Sequence, residues 1–142
     1  PRSAREAMRP RPLGETPLAG LVEPVESRHT VPTWGALVRG GGGLVYYSSD
    51  TALTRRVEDA VSAADVSIVE ATLPAGAYGA AEATGHMTVD QALRLAARLR
   101  PGGLLVLTHL SVESLSSLRQ AGGSGAAGRG VVVASDGLEL LV

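Results

Sequence analysis

Mostly apolar segments alternate with amphipathic ones along this chain of 142 residues. The clearest apolar segments are residues 44–47, 66–71 and 104–108, and each has the length of a buried strand. Residues 18–29 alternate more weakly, and Pro24 confines that segment to an edge strand or a bulge. We therefore expect strands at these four segments, with the weakly alternating one at an edge or a bulge.

Between the strands, apolar residues recur at the spacing of a helix face. Such series occur in residues 53–64, 89–99 and 112–118. Thr88 and Gln91 have the spacing of a capping box, so we expect the second helix to begin at Thr88 and to end before Pro101. Residues 74–84 are small and Gly-rich, and we expect an irregular loop there.

Glycine-rich turns complete the predicted topology. The four glycines at 40–43 lead into a strand, which favours a flexible hairpin turn over a phosphate-binding loop. Residues 122–130 predict a Gly/Ala loop, and the Ser-Asp-Gly turn at 135–137 predicts a second hairpin between residues 131–134 and 138–142. Strands that alternate with helices, with hairpins at both ends, predict an α/β fold with a mixed sheet.

Composition narrows the class of protein. The chain has the length of one domain and is 44% apolar without Phe, so its core is expected to be aliphatic. We expect that domain over residues 18–142, after a loop or frayed helix tail over residues 1–17, which are rich in Arg and Pro. The formal net charge of −1 argues against a general nucleic-acid or anionic-membrane surface.

The sequence carries few signals for the cellular compartment of the protein or for the kind of genome that encodes it. No apolar segment approaches the ~20 residues of a membrane span, and the opening residues lack the apolar region of a signal peptide. We therefore expect a cytoplasmic protein without a membrane partner. The thirteen basic residues are all Arg, which together with the excess of Ala, Gly and Val is typical of a GC-rich bacterial genome.

Three polar residues stand where predicted elements end. Asp50 follows the strand at 44–47, His109 follows the strand at 104–108, and His29 precedes a turn that contains proline. Two imidazoles and one carboxylate on one sheet rim suit a divalent ion such as zinc, which would make hydroxide available at neutral pH. Simpler roles remain open, because Asp50 could cap a helix and either histidine could be merely structural.

Glu70 and His86 form a second pair of interest. A carboxylate inside the predicted strand at 66–71 is costly to bury unless another group pairs with it. His86 lies just before the helix start at Thr88. If Glu70 supports His86, the imidazole can supply the proton that a leaving group needs.

Five motifs in this order resemble a known family. They are HTVPTWG at 29–35, YSSDT at 47–51, EAT at 70–72, GHMT at 85–88 and THLS at 108–111. From residue 18 to residue 142 the chain resembles the C-terminal half of a metallo-beta-lactamase-fold hydrolase of the ribonuclease Z-like group. The resemblance implies half of an αββα sandwich, with a mixed sheet and helices on one face.

The resemblance also implies a role for each residue. His29 would bind one metal ion, Asp50 would bridge two, and His109 would be the last histidine of the second ion. Glu70 and His86 would act together in donating a proton to the leaving group. Two zinc ions, or manganese or iron, would activate water to attack a small ester or phosphodiester.

The chain departs from the family in ways that bear on its activity. The His-x-His-x-Asp-His motif that supplies most ligands is absent, and Ser49 stands where the family usually has Gly. Three ligands cannot hold two ions, so we expect a missing N-terminal half or a second chain to complete the site. Between His29 and Asp50 there is no room for the arm that grips tRNA, which favours a smaller substrate, although RNA and a homodimer stay open.

The sequence leaves two alternatives to the hydrolase. Residues 99–110 are similar to a late strand of class I methyltransferases, but no Gly-rich turn leads from a strand into a helix to hold their cofactor. The other alternative is a catalytically incomplete half-domain that acts as a partner-binding module. The missing metal ligands favour this second alternative over the first.

Overall fold

Six strands form one mixed sheet in the computed structural model, which describes residues 12–16, 18–120 and 130–140. The strands are β1 (Val22–Ser27), β2 (Thr33–Gly40), β3 (Gly43–Tyr47), β4 (Val66–Glu70), β5 (Leu104–Thr108) and β6 (Val131–Val133). The helices are α1 (Arg55–Ala63), α2 (Tyr78–Thr84), α3 (Val89–Arg94) and α4 (Val112–Gln120), and short 3-10 turns cover Leu13–Glu15 and Leu95–Arg98. The predicted mixed α/β fold is confirmed.

The strands lie side by side in chain order. β1, β2 and β3 are antiparallel, and β3 to β6 run parallel to one another. β1 is an edge strand, as Pro24 predicts, and Gly40 pairs with Gly43 around the tight turn of the first hairpin. The parallel half of the sheet therefore presents the carboxyl ends of β3, β4 and β5 at a single edge.

The aliphatic core lies between one face of the sheet and the helices. Tyr46, Val69, Leu105 and Leu107 belong to this face by their register, and all are fully buried. The helices and the 3-10 turn at Leu95–Arg98 contribute apolar residues to the same core cluster, including Val57, Val61, Ala92, Leu95 and Leu118. Their burial follows the helical spacing of the apolar residues in the sequence.

The opposite face of the sheet is exposed at its antiparallel end. Trp34, Val38 and Tyr47 share this face by register, and they are 57%, 39% and 48% exposed. None of these three side chains belongs to the helix-side core. An exposed cluster of large apolar side chains is typical of a surface that another layer covers.

The caps of α1 and α3 settle two sequence predictions. The Thr54 side chain accepts a hydrogen bond from the Val57 N–H and so caps α1. The suggestion that Asp50 caps this helix is therefore wrong, because the helix begins only at Arg55. At α3 the Thr88 capping box is confirmed, since both of its reciprocal hydrogen bonds are present.

Two other sequence predictions need correction. Residues 74–84 are not all irregular, because α2 forms within them from good helix formers such as alanine. Gly85, with a φ of +72°, caps the carboxyl end of this helix. Only Ala81 of this helix is buried, so the segment shows no apolar periodicity. The predicted C-terminal hairpin is also wrong: the turn at 135–137 forms, but β6 pairs in parallel with β5 and residues 138–140 are not a strand.

Some predictions fall on segments that the structure does not describe. Most of the tail predicted at residues 1–17 and of the loop at 122–130 lies outside the described residues. Within the described ranges, no helix is both long and apolar enough to cross a membrane.

Candidate metal centre

The carboxyl edge of the parallel strands carries three of the predicted site residues. Asp50 lies just beyond β3, Glu70 is the last residue of β4, and His109 directly follows β5. The carboxyl ends of parallel strands meet at one edge, where α/β proteins commonly bind their ligands. The order of strands in the sheet is thus what places these residues near one another.

Two loops bring the other histidines to the same edge. His29 lies in the β1–β2 connection, which is tied to the segment after Asp50 by a 2.8 Å hydrogen bond from Ala52 N–H to the Arg28 carbonyl. His86 lies between α2 and α3. The His86 ring centroid is 4.8 Å from that of His29 and 5.7 Å from that of His109.

These five residues fall into two overlapping groups. One possible ligand atom from each of His29, Asp50 and His86 lies within 4.8 Å of the others, and the same holds for Glu70, His86 and His109. Asp50 Oδ1 is also 3.2 Å from His109 Nδ1. Asp50 therefore lies close to His29 on one side and contacts His109 on the other.

Each of the three histidines is held through Nδ1. His29 Nδ1 is 3.1 Å from the Gly85 carbonyl oxygen, His86 Nδ1 is 2.8 Å from Glu70 Oε1, and His109 Nδ1 is 2.9 Å from Thr72 Oγ1. Carbonyl and carboxylate oxygens only accept, so Nδ1 of His29 and His86 carries the hydrogen and a neutral ring keeps its lone pair on Nε2. Histidines that bind metals are commonly oriented in this way. The histidine nitrogens and carboxylate oxygens that could act as metal ligands here fit a divalent ion such as zinc.

Glu70 is buried but well satisfied by hydrogen bonds. The residue is 1% exposed. It accepts hydrogen bonds from the main-chain N–H groups of Thr51, Thr72 and Met87, from the Thr72 hydroxyl and from His86 Nδ1. A carboxylate is costly to bury unless other groups pair with it, and these five hydrogen-bond donors offset that cost for Glu70.

Backbone strain is concentrated at the same edge. Ser49 and His109 have φ angles of 54° and 52°, and they are the two non-glycine residues with positive φ among the residues described. Such angles cost a residue other than glycine roughly 1–3 kcal/mol and cluster at functional sites. The left-handed angle also explains why a glycine would fit at position 49.

Gly85 supports His29, a role that the GHMT motif at 85–88 does not reveal. The Gly85 carbonyl accepts a hydrogen bond from His29 Nδ1. A Cβ added at position 85 would lie 2.7 Å from the His29 Cα. We expect Gly85→Ala to lower the free energy of unfolding by about 2–5 kcal/mol, because backbone strain and overpacking add. Urea titration measures this loss, and the NMR signals of the His29 ring should shift with it.

Gly102→Ala is the matched control for this substitution. Gly102 also has a positive φ of 80°, but an added Cβ would meet nothing within 4 Å. Its replacement should therefore cost only the backbone strain of roughly 1–3 kcal/mol and leave the His29 signals in place. Equal losses in the two variants would contradict the predicted contact between Gly85 and His29.

The known proteins that this chain resembles share its fold. It superposes with a TM-score of 0.66 on the metallo-beta-lactamase fold protein YhfI from Bacillus subtilis, at 24% identity over 82% of this chain and 47% of that one. The short form of human tRNase Z gives a TM-score of 0.59 at 26% identity, over 82% of this chain and 40% of that one. Zn²⁺-bound PqqB from Methylobacterium extorquens gives 0.65 at 19% identity, over 85% of this chain and 50% of that one.

The chain thus spans half or less of the length of these three structures. Comparison with the curated proteins yields no match. The family model described as the beta-lactamase superfamily domain matches residues 5–110. This range is most of the chain and contains all five residues of the candidate centre. The chain therefore belongs to the beta-lactamase superfamily and has the metallo-beta-lactamase fold.

Proposed function

We propose that this chain supplies part of the active site of a metal-dependent hydrolase that acts on a phosphodiester or another small ester. The observation that carries the proposal is the gathering of three Nδ1-tethered histidines and Asp50 at one edge of the sheet. The similarity to tRNase Z supports a ribonuclease Z-like site, with this chain in the position of the C-terminal half.

The proposed ligands from this chain are His29, Asp50 and His109. His29 would bind one divalent ion through Nε2, His109 would bind a second, and Asp50 would offer an oxygen to each. Zinc fits these donors best, and manganese and iron are alternatives. When bound, such ions lower the pKa of a coordinated water to about 7 and so supply a nucleophile at neutral pH.

Glu70 and His86 would handle the proton that the leaving group needs. The hydrogen bond from His86 Nδ1 to Glu70 Oε1 fixes the ring, so that Nε2 faces away from Glu70. A protonated His86 would donate from Nε2 to the leaving oxygen, and the Glu70 carboxylate would stabilise the positive ring. The burial of Glu70 keeps this pair rigid.

A further layer must complete the site, because three ligands do not hold two ions. The His-x-His-x-Asp-His motif does not occur in the sequence. We place the remaining ligands on a polypeptide layer that packs on the exposed sheet face around Trp34 and Tyr47. Tyr47 ends β3 and Asp50 follows shortly after, so a layer on this face would reach the candidate centre.

The second candidate function is a half-domain that binds a partner without catalysis. The exposed apolar face around Trp34 and Tyr47 favours it, since such a face serves association whether or not metal is bound. The methyltransferase-like alternative has no comparable support. Its basis, residues 99–110, lies within the range that matches the beta-lactamase superfamily.

Metal content separates these two functions. We expect the chain alone to bind zinc weakly, and a complex with a polypeptide that carries the clustered-histidine motif to hold two ions. The complex should also hydrolyse bis(p-nitrophenyl) phosphate. Elemental analysis after gel filtration and release of nitrophenolate measure both properties. A stable complex without metal or turnover would instead support the partner-binding module.

The role of His86 has its own test in the dependence on the leaving group. In the metal-loaded complex, His86→Gln should slow hydrolysis of an alkyl phosphodiester about 10²-fold or more, because the alkoxide must be protonated. Nitrophenolate leaves without a proton, so turnover of the nitrophenyl ester should fall much less. Equal losses on both substrates would contradict proton donation by His86.

A further inference from the structure

The Thr72 hydroxyl stands between two of the residues to which a function is proposed above, yet it has no role in that proposal. Its Oγ1 lies 2.6 Å from Glu70 Oε2 and 2.9 Å from His109 Nδ1. The Thr72 carbonyl accepts a 2.7 Å hydrogen bond from the Ser114 hydroxyl, which anchors the residue to α4. Thr72 therefore links the Glu70–His86 pair to His109.

The direction of these hydrogen bonds follows from the chemistry of the groups. A carboxylate oxygen only accepts, so the Thr72 hydroxyl donates its single proton to Glu70 Oε2. The oxygen that remains toward His109 can then only accept, and Nδ1 of His109 must carry the hydrogen. The lone pair of the neutral His109 ring is thereby placed on Nε2.

Asp50 competes with Thr72 for the same hydrogen. Asp50 Oδ1 is 3.2 Å from His109 Nδ1, whereas Thr72 Oγ1 is at 2.9 Å. Without the threonine hydroxyl, Asp50 Oδ1 would be the remaining acceptor beside this N–H among the residues that the structure describes. Its oxygen would then be engaged by the histidine instead of being available to a cation.

We propose that Thr72 is a positioning residue that fixes the tautomer of His109 and leaves the carboxylate of Asp50 free. The second half of this proposal rests on the proposed function, in which Asp50 and His109 bind metal. The first half concerns the metal-free chain alone. Thr72 acts through His109, and no contact with a substrate is required of it.

The tautomer can be read by NMR of the metal-free chain labelled with ¹⁵N at histidine, at a pH where the His109 ring is neutral. The informative background is Asp50→Ala, which removes the competing acceptor. We expect Asp50→Ala to keep the hydrogen on Nδ1 of His109, and Asp50→Ala/Thr72→Ser to do the same. In Asp50→Ala/Thr72→Val the hydrogen should move to Nε2, the site that an unconstrained imidazole favours.

Two outcomes would overturn the tautomer assignment. They are a hydrogen on Nε2 in Asp50→Ala, and a hydrogen retained on Nδ1 in Asp50→Ala/Thr72→Val. The single variant can overturn the assignment even if the double variant does not fold, because it leaves Thr72 unchanged. No metal or substrate enters this measurement, so its result is independent of whether the protein is a hydrolase.

The second half of the proposal is tested by zinc affinity in the completed complex. Thr72→Val should weaken zinc binding about 10–100-fold, as expected for a group that orients a ligand. Thr72→Ser restores the hydroxyl and should restore the affinity. Unchanged zinc affinity in Thr72→Val would show that the Thr72 hydroxyl is not needed to keep the Asp50 carboxylate available to a cation.

Discussion

Asp50→Ala is expected to abolish hydrolysis by the completed complex while the chain keeps its fold. Asp50 contacts His109 and lies within 4.8 Å of possible ligand atoms of His29 and His86, so its loss would leave both proposed ions without a shared ligand. Metal ions supply several kcal/mol of transition-state stabilisation. At about 1.4 kcal/mol for each tenfold change in rate, the loss would be on the order of 10³-fold or more.

The structure indicates that this substitution spares the helices. Thr54, not Asp50, caps α1, so circular dichroism of Asp50→Ala should show an unchanged helix content. Asp59→Ala is the matched control, because Asp59 is an exposed carboxylate on α1 that pairs with Arg55 away from the centre. Turnover by Asp50→Ala at the rate of Asp59→Ala would refute the bridging role.

The sequence predicts apolar strands and capped helices best because their sequence signals are local. The apolar segment at 104–108 coincides with β5, and the segment at 44–47 differs from β3 only at Gly43. β5 lies between two parallel neighbours and is buried at its three central residues, and so its apolar residues are nearly continuous. The capping box likewise predicts the start of α3 from Thr88 and Gln91, which lie within one helical turn.

The sequence does not predict elements whose structure depends on residues far away along the chain. The pairing of β6 is set by its alignment with β5, and the turn at 135–137 carries no information about that partner. Helix α2 buries only Ala81, so it lacks the apolar stripe by which helices are recognised.

The candidate centre shows the same division between local and distant information. Positions at the ends of elements single out Asp50 and His109 in the sequence. The tether between His29 and Gly85, however, joins residues that are 56 positions apart. The role of Thr72 also depends on a contact with His109 across 37 positions. Sequence spacing therefore predicts which groups reach the edge, and tertiary contacts determine how each one is held.

Glu70→Ala is expected to have the largest effect on stability. The substitution removes the acceptor of two main-chain N–H groups, those of Thr51 and Met87, and both residues are 0% exposed. Each buried donor left without a partner costs about 1–3 kcal/mol. We therefore expect the free energy of unfolding to fall by roughly 2–6 kcal/mol, a large part of the 5–15 kcal/mol typical of a folded domain.

Urea titration of Glu70→Ala, Glu70→Gln and Glu82→Ala separates this effect from a mere loss of charge. Glu82 pairs with Arg28 at the exposed surface, so its replacement should leave the unfolding midpoint nearly unchanged. Glutamine keeps the size of Glu70 but has one accepting oxygen, since its amide nitrogen only donates. Its loss of stability should therefore fall between those of the two alanine variants. If Glu70→Ala were as stable as Glu82→Ala, the buried carboxylate would not hold these loops together, and the orientation of His86 would need another cause.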